Sequence, residues 1–190
     1  SITNGKFEVE LDIFKGKGPA GFGSTSTARD VVAHLDLQGK WYVITGVNSG
    51  LGLASAQALA ERGATIIGLA RTQLKAEEAI AMLPGEGHRG VPCELSEPGS
   101  VLDAGRFVAG LKRPLDGLLL NAGIMALPQM DVKYGLERQF LVNHMGHFGL
   151  VRELLGSLGE GARIVVLSSA AHQRTYSGGI DFEHAQGKAG

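Results

Sequence analysis

The sequence of 190 residues holds a single cysteine, Cys93, which excludes an internal disulfide and points to a reducing compartment. It has no surplus of either charge: 18 Lys and Arg stand against 19 Asp and Glu, a formal net charge of -1. Nucleic-acid modules normally carry a basic excess, so no nucleic-acid partner is expected. No apolar run approaches the roughly 20 residues of a membrane-spanning helix. The richest stretch, Leu115 to Leu127, is interrupted by Asp116 and Asn121. Ser1 to Glu10 lack a basic segment followed by an apolar block, so no secretory leader is read and a cytoplasmic location is expected. Internal repeats and low-complexity tracts are absent as well. What is abundant is glycine, 29 residues, roughly twice the usual share. It follows no tripeptide period, so the glycines mark turns and close backbone approaches.

A hydrophobic content of 44% suits one compact domain, and a domain of this size buries roughly 70% of its unfolded surface. From Trp41 onward, short β-branched or leucine-rich runs alternate with amphipathic stretches. Strands are expected at Trp41 to Thr45, Ala64 to Ala70, Gly90 to Cys93, Leu115 to Leu120 and Arg163 to Leu167. Helices are expected over Gly50 to Arg62, Leu74 to Met82, Pro98 to Leu111 and, as one long element, Tyr134 to Leu158. Strands separated by helix-length segments imply βαβ units. The fold class is therefore α/β, a doubly wound parallel sheet. Earlier in the chain, Phe7 to Phe14 alternates like an edge strand or extended arm. Lys15 to Ser26 reads as a loop, and Thr27 to Asp30 as a capping box opening a short helix through Leu35.

Two glycine clusters compete as a phosphate cradle. Gly16 to Gly21 is formally G-x-G-x-x-G, but Phe22-Gly23-Ser24-Thr25-Ser26 follows it, which cannot open a buried helix. That motif carries meaning only between a strand and a helix, so this cluster reads as a flexible loop. Thr45-Gly46-Val47-Asn48-Ser49-Gly50-Leu51-Gly52 does leave a strand and enter a helix. Gly46 would permit the tight turn, Gly50 let the backbone approach a pyrophosphate, and Gly52 allow close helix packing. The helix N-terminus would then turn free N–H groups toward the phosphates.

This T-G-x-x-x-G-x-G spacing resembles the short-chain dehydrogenase/reductase family, and the resemblance strengthens downstream. Asn121-Ala122-Gly123 follows the fourth strand, Asn143-His144-Met145-Gly146-His147-Phe148 lies in the long helix, and Ser168-Ser169 ends the fifth strand. The wording LLLNAGIMALP, ERQFLVNHMGHF and RIVVLSSAAH is similar to the branch containing retinol dehydrogenases and the WW-domain oxidoreductase. The likeness covers about Ser24 to Phe182. It implies a Rossmann-type domain binding a nicotinamide dinucleotide, with Gly46, Asn48, Ser49, Gly50, Leu51, Gly52, Asn121, Ala122 and Gly123 as cofactor contacts. On this reading residues 1–38 are an N-terminal extension, and 39–190 are the nucleotide-binding domain.

Cofactor choice turns on the end of the second strand. An acidic residue there, about 20 positions past the glycine loop, would favour NAD through the ribose 2′-hydroxyl. Arg71 stands there instead, with Lys75 one helical turn on. A guanidinium can grip a 2′-phosphate bidentately, and no carboxylate is expected beside it, so NADP is the expected cofactor. Read alone, Arg71 would be an ordinary solvated arginine. Where the family usually has Asp after the third strand, contacting adenine, this chain has Glu94-Leu95, and Glu94 can accept the same hydrogen bond. By resemblance, Ser169 would hold or polarise the substrate oxygen, and Asn143 would help hold a water in the proton path. Without the other motifs the serine pair would be a turn cap and Asn143 a packing feature.

The family also implies a Tyr-x-x-x-Lys pair to carry the proton. Tyr42, Tyr134 and Tyr176 are followed four positions on by Gly46, Arg138 and Ile180. The stretch from Gly178 is similar to the segment that precedes that pair in this branch, so the pair, its helix and the rest of the sheet are expected beyond Gly190. The leading expectation is an NADP(H)-dependent oxidoreductase acting on a small lipophilic carbonyl or alcohol. The alternative is a non-catalytic NADP(H)-binding protein with a structural or sensory role. A homodimer through the long helix is a further implication of the resemblance. His144 and His147 lack an H-E-x-x-H context, so no metal is expected. His172 is open between a pocket wall and the surface, and Cys93 is read as an inert core thiol.

Overall fold

The computed structural model describes residues 16–125 and 127–169. The arm read at Phe7 to Phe14, His172, Tyr176 and the stretch from Gly178 lie outside the described residues. Five strands form one sheet: β1 (Trp41–Thr45), β2 (Thr65–Ala70), β3 (Arg89–Pro92), β4 (Leu115–Leu120) and β7 (Leu158–Val166). Their order is β3-β2-β1-β4-β7 and every pairing is parallel. The chain winds outward from β1 to β3, then returns past its start to β4 and β7. This is the doubly wound α/β sheet of the Rossmann type. Between the strands run α2 (Gly50–Glu61), α3 (Gln73–Ala81), α4 (Pro98–Gly110), α5 (Arg138–Phe140) and α6 (His147–Leu154). Before β1, α1 (Ala28–Val32) is opened by Thr27, whose side chain accepts from the Asp30 N–H while the Asp30 carboxylate accepts from the Thr27 N–H. Arg29 then ties α1 to α2 by a bidentate pair with Glu61.

Over β1, β2 and β4 both faces of the sheet are covered, which is why these strands read as nearly unbroken apolar runs, whereas Ile164, Val165 and Val166 of β7 are exposed. Successive residues point to opposite sides. Val43 and Ile67 enter a core with Val101, Val108, Leu118, Leu150 and Leu154 from β4, α4 and α6. Their neighbours Ile44 and Ile66 enter a second core, against Ala56 and Ala60 of α2 and Ala76 and Ala79 of α3. The small residues on α2 and α3 let those helices lie close to the sheet.

Two expected elements differ. The long helix does not begin at Tyr134, because β5 (Val132–Lys133) and β6 (Leu136–Glu137) pair as an antiparallel hairpin. Its two-residue turn has φ 55 at Tyr134 and φ 74 at Gly135, the doubly positive backbone of a type I′ turn. Helix starts only at Arg138, where the Glu137 carboxylate caps the N–H groups of Gln139 and Phe140. It passes through a π-helical turn at Leu141–Gly146 and ends in a short 3-10 turn, Leu155–Ser157. The last strand begins at Leu158, earlier than Arg163. It bulges between Leu158 and Arg163, with Gly161 at φ 73, and ends at Val166, so Ser168 and Ser169 lie past its end.

Leu118, on the central β4, is 0% exposed. Leu118→Ala should lower unfolding free energy by about 3 kcal/mol through lost burial and the cavity left behind. Urea denaturation of the variant measures this.

Candidate functional site

Parallel sheets leave a crevice at the carboxyl ends of their strands, where the order reverses. Here that point lies between β1 and β4, and a cavity of about 640 Å³ opens across it. Its lining joins the β1 exit (Gly46, Asn48, Ser49, Leu51), the β2 exit (Arg71, Lys75), the β3 exit (Glu94, Leu95) and the β4 exit (Asn121, Ala122, Gly123). Ten of the residues expected to contact a cofactor thus meet in one cavity. Gly50 and Gly52 sit among them in α2, and Leu167 of the β7 exit, two residues before Ser169, also lines the cavity. The rival cluster Gly16 to Gly21 forms exposed turns and contributes nothing to this lining.

The glycine loop has the shape of an anion cradle. Gly46 at φ 68 packs so tightly that an added Cβ would stand 3.0 Å from the Ala122 Cα. A Cβ on Gly52 would collide with the Gly46 carbonyl and come within 2.6 Å of Asn121 Nδ2. Gly50, at φ 54, would aim a Cβ into open space. Ser49 occupies the cap position of α2 without a side-chain hydrogen bond to the helix, so the first N–H groups keep their donor capacity for a ligand. These features fit a pyrophosphate lying over Gly50.

Behind the loop lies a buried hydrogen-bond chain that sequence reasoning missed. The Thr45 hydroxyl accepts from the backbone N–H of Asn121 and of Ala122, each at 3.0 Å. It lies 2.9 Å from Nε2 of His147, which is 4% exposed. His147 Nδ1 lies 3.0 Å from the Asn143 carbonyl, which can only accept. The proton is therefore assigned to Nδ1, and neutral Nε2 accepts from Thr45. Burial pushes the His147 pKa below its usual value, with the Asn143 hydrogen bond opposing and His144 adding to the shift. The Asn143 side chain brackets the backbone of Ile124, accepting from its N–H and donating to its carbonyl, both at 2.8 Å. The two ring nitrogens of His147 are thus spent on Thr45 and Asn143, in keeping with a structural role for this histidine.

The β2 and β3 exits differ from expectation in one respect. A carboxylate does stand beside Arg71: Glu94 Oε2 lies 3.3 Å from Arg71 Nε. The pairing of Ala70 with Pro92 sends the ends of β2 and β3 out side by side. Glu94 Oε1 accepts from both the N–H and the hydroxyl of Ser96, at 3.1 and 2.9 Å. Arg138, which the sequence left in an unused Tyr/basic spacing, lines the same cavity and donates to Asp131 at 2.6 Å. Cys93 is buried there, and burial pushes its thiol pKa up to about 12, the state of an unreactive thiol. Tyr134 is outside the cavity, its hydroxyl donating to Glu97 at 2.7 Å.

A nucleotide-binding α/β protein is the class that this sheet and crevice define. The short-chain dehydrogenase family model matches residues 40–182, and the chain belongs to that family. It is 38% identical over 178 residues to short-chain dehydrogenase TIC 32 B, chloroplastic, of Brassica napus, covering 88% of this chain and 56% of that protein. It is 35% identical over 160 residues to the human WW domain-containing oxidoreductase, covering 81% of this chain and 39% of that protein. Among solved structures, a Burkholderia cenocepacia short chain dehydrogenase in complex with NADP matches at 29% identity and TM-score 0.62, covering 75% of this chain and 60% of that one. The chain spans about half the length of the curated relatives it matches. Among the described residues, no helix is long and apolar enough to cross a membrane.

Two measurements check the site. Gly50→Val should abolish dinucleotide binding, since the new side chain enters the open space of the cradle. At φ 54 it should also cost about 1–2 kcal/mol of stability, with retained circular dichroism showing that the fold survives. His147 makes the second. Its depressed pKa gives a stability contribution that is complete above pH about 6.5 and is lost as pH falls through the folded value. Wild-type unfolding free energy should drop as pH falls below about 6.5, and His147→Gln should flatten that drop.

Proposed function

We propose that the protein is an NADP(H)-dependent oxidoreductase acting on a small lipophilic carbonyl or alcohol. The observation that carries the reading is that Arg71 lines the same cavity as the glycine cradle. The NADP-bound Burkholderia structure supports the same choice. When bound, the cofactor supplies or accepts the hydride. The chain's own residues do the rest. Gly46, Asn48, Ser49, Gly50, Leu51 and Gly52 hold the pyrophosphate, and Asn121, Ala122 and Gly123 line the path from it. Leu95 borders the adenine, Glu94 accepts a hydrogen bond from it, and Arg71 binds the 2′-phosphate with Lys75 nearby.

Ser169 is proposed to hold the substrate oxygen by hydrogen bonding. Asn143, with its side chain locked on Ile124, is proposed to present its backbone carbonyl to a water in the proton path. The lipophilic substrate rests on the resemblance to retinol dehydrogenases and is a family-level analogy. A homodimer belongs to the same proposal and is supported by the exposed Phe148 and Met145 on the helix that would form the interface. We place the protein in the cytoplasm on the ground of its one buried, reduced thiol, although the Brassica relative is named chloroplastic.

NADPH should bind at least about tenfold tighter than NADH, about 1.4 kcal/mol, and Arg71→Asp should erase or invert that preference. Calorimetric dissociation constants for both cofactors test this, and equal wild-type values would remove the argument. Oxidation of NADPH by generic aldehydes, assayed on the gene product, separates an enzyme from a non-catalytic dinucleotide-binding protein.

A further inference from the structure

We infer that Glu94 is a specificity-determining residue which holds the discrimination for 2′-phosphorylated cofactors below what Arg71 alone would give. This rests on the proposed NADP reading and adds a counter-ion to it. One carboxylate oxygen of Glu94 is fixed by two donors of Ser96, at 3.1 and 2.9 Å, and the other pairs with Arg71 Nε at 3.3 Å. The anchoring is unequal. Glu94 has a side-chain exposure of 23%, whereas the Arg71 side chain is 59% exposed. The carboxylate is therefore the fixed partner and the guanidinium the mobile one.

An incoming 2′-phosphate must draw the guanidinium away from Glu94 or share it. Exposed pairs of this kind are weak, so the exchange is reversible. The phosphate can accept two parallel N–H groups from the fork and carries more charge than the carboxylate, so it wins the exchange. A ligand with a free 2′-hydroxyl leaves the pair intact and encounters no such competition. Glu94 thereby weakens binding of the 2′-phosphorylated cofactor selectively. The same carboxylate remains the proposed acceptor for adenine, a contact shared by both cofactors.

The test uses the chain itself and four adenosine ligands: NADPH, NADH, adenosine 2′,5′-bisphosphate and adenosine 5′-monophosphate, with dissociation constants from calorimetry at one fixed ionic strength. Glu94→Gln keeps an oxygen for the two Ser96 donors and removes the charge. It should raise the affinity ratio of 2′-phosphorylated over unphosphorylated ligand by about threefold to fivefold, within the span of an exposed ion pair. In an Arg71→Met background the same change should leave the ratio unaltered, because the pair is already gone. Equal ratios in wild type and Glu94→Gln overturn the inference while leaving Arg71 as the discriminating residue. A rise of the same size in the Arg71→Met background also overturns it, since Glu94 would then act by direct repulsion of the phosphate. A wild-type ratio that Arg71→Met does not lower overturns the NADP reading through Arg71, and this inference with it.

Discussion

One helical turn, Asn143 to His147, is tied to the exits of three strands, and the geometry of the crevice depends on it. His147 reaches Thr45 at the end of β1, and the Asn143 side chain clasps the backbone of Ile124 beyond β4. A Cβ on Gly146 would collide with the carbonyl of Leu95 beyond β3, so the helix there lies directly against that backbone. Loops leaving neighbouring parallel strands have no ladder of their own to hold them. Here the Thr45–Asn121–Ala122 hydrogen bonds and the contacts of a single helical turn hold them in place. The π-helical winding at Leu141–Gly146 belongs to this arrangement. Within it, the Nδ1–H of His147 donates to the Asn143 carbonyl one turn earlier.

The Thr45 hydroxyl shows why a buried polar chain is tolerable at this point. It receives two backbone N–H groups and gives its hydrogen to His147. Among the described residues, no buried side-chain nitrogen or oxygen lacks a partner. A fully satisfied network rigidifies, whereas a partly satisfied one costs the desolvation of each orphan. Protonating His147 would turn Nε2 into a donor aimed at an oxygen already receiving two. The same geometry that fixes the tautomer thus disfavours the charged ring, in the direction that burial also pushes it.

The strands were legible because a parallel sheet covered on both faces demands unbroken apolar runs, and Trp41 to Thr45 and Leu115 to Leu120 have few other uses. The cradle was legible because Gly46, Gly50 and Gly52 fall between such a strand and a helix. What failed did so for local reasons. Tyr134-Gly135 makes a type I′ turn without the usual Asn-Gly signal, and helical periodicity ran through it unchecked. The early start of β7 hides behind Gly159 and Gly161, residues that weaken a strand signal. His147 could not be matched to Thr45 because 102 residues separate them. The Arg71–Glu94 pair was within reach, since parallel pairing of β2 with β3 already places their exits side by side.

The two ends of the cavity divide their work by the kind of group that lines them. At the glycine loop the lining from Thr45 to Leu51 contains no charged side chain, and its binding capacity lies in backbone N–H groups and the helix terminus. A pyrophosphate is common to every nicotinamide dinucleotide, so nothing at that end needs to discriminate, and a main-chain cradle binds all of them alike. The end at the β2 and β3 exits, proposed to take adenosine, carries Arg71, Lys75 and Arg138 against Glu94. Only there do the two dinucleotides differ, by a single phosphate on the ribose. Side chains are exchangeable one residue at a time while a main-chain cradle is not, so on the proposed reading cofactor choice would change at the β2 and β3 exits without disturbing the glycine cradle. A weak, exposed Arg–Glu pair is suited to that position. The pair is worth little in water, so on the proposed reading a phosphate would displace the carboxylate from the guanidinium.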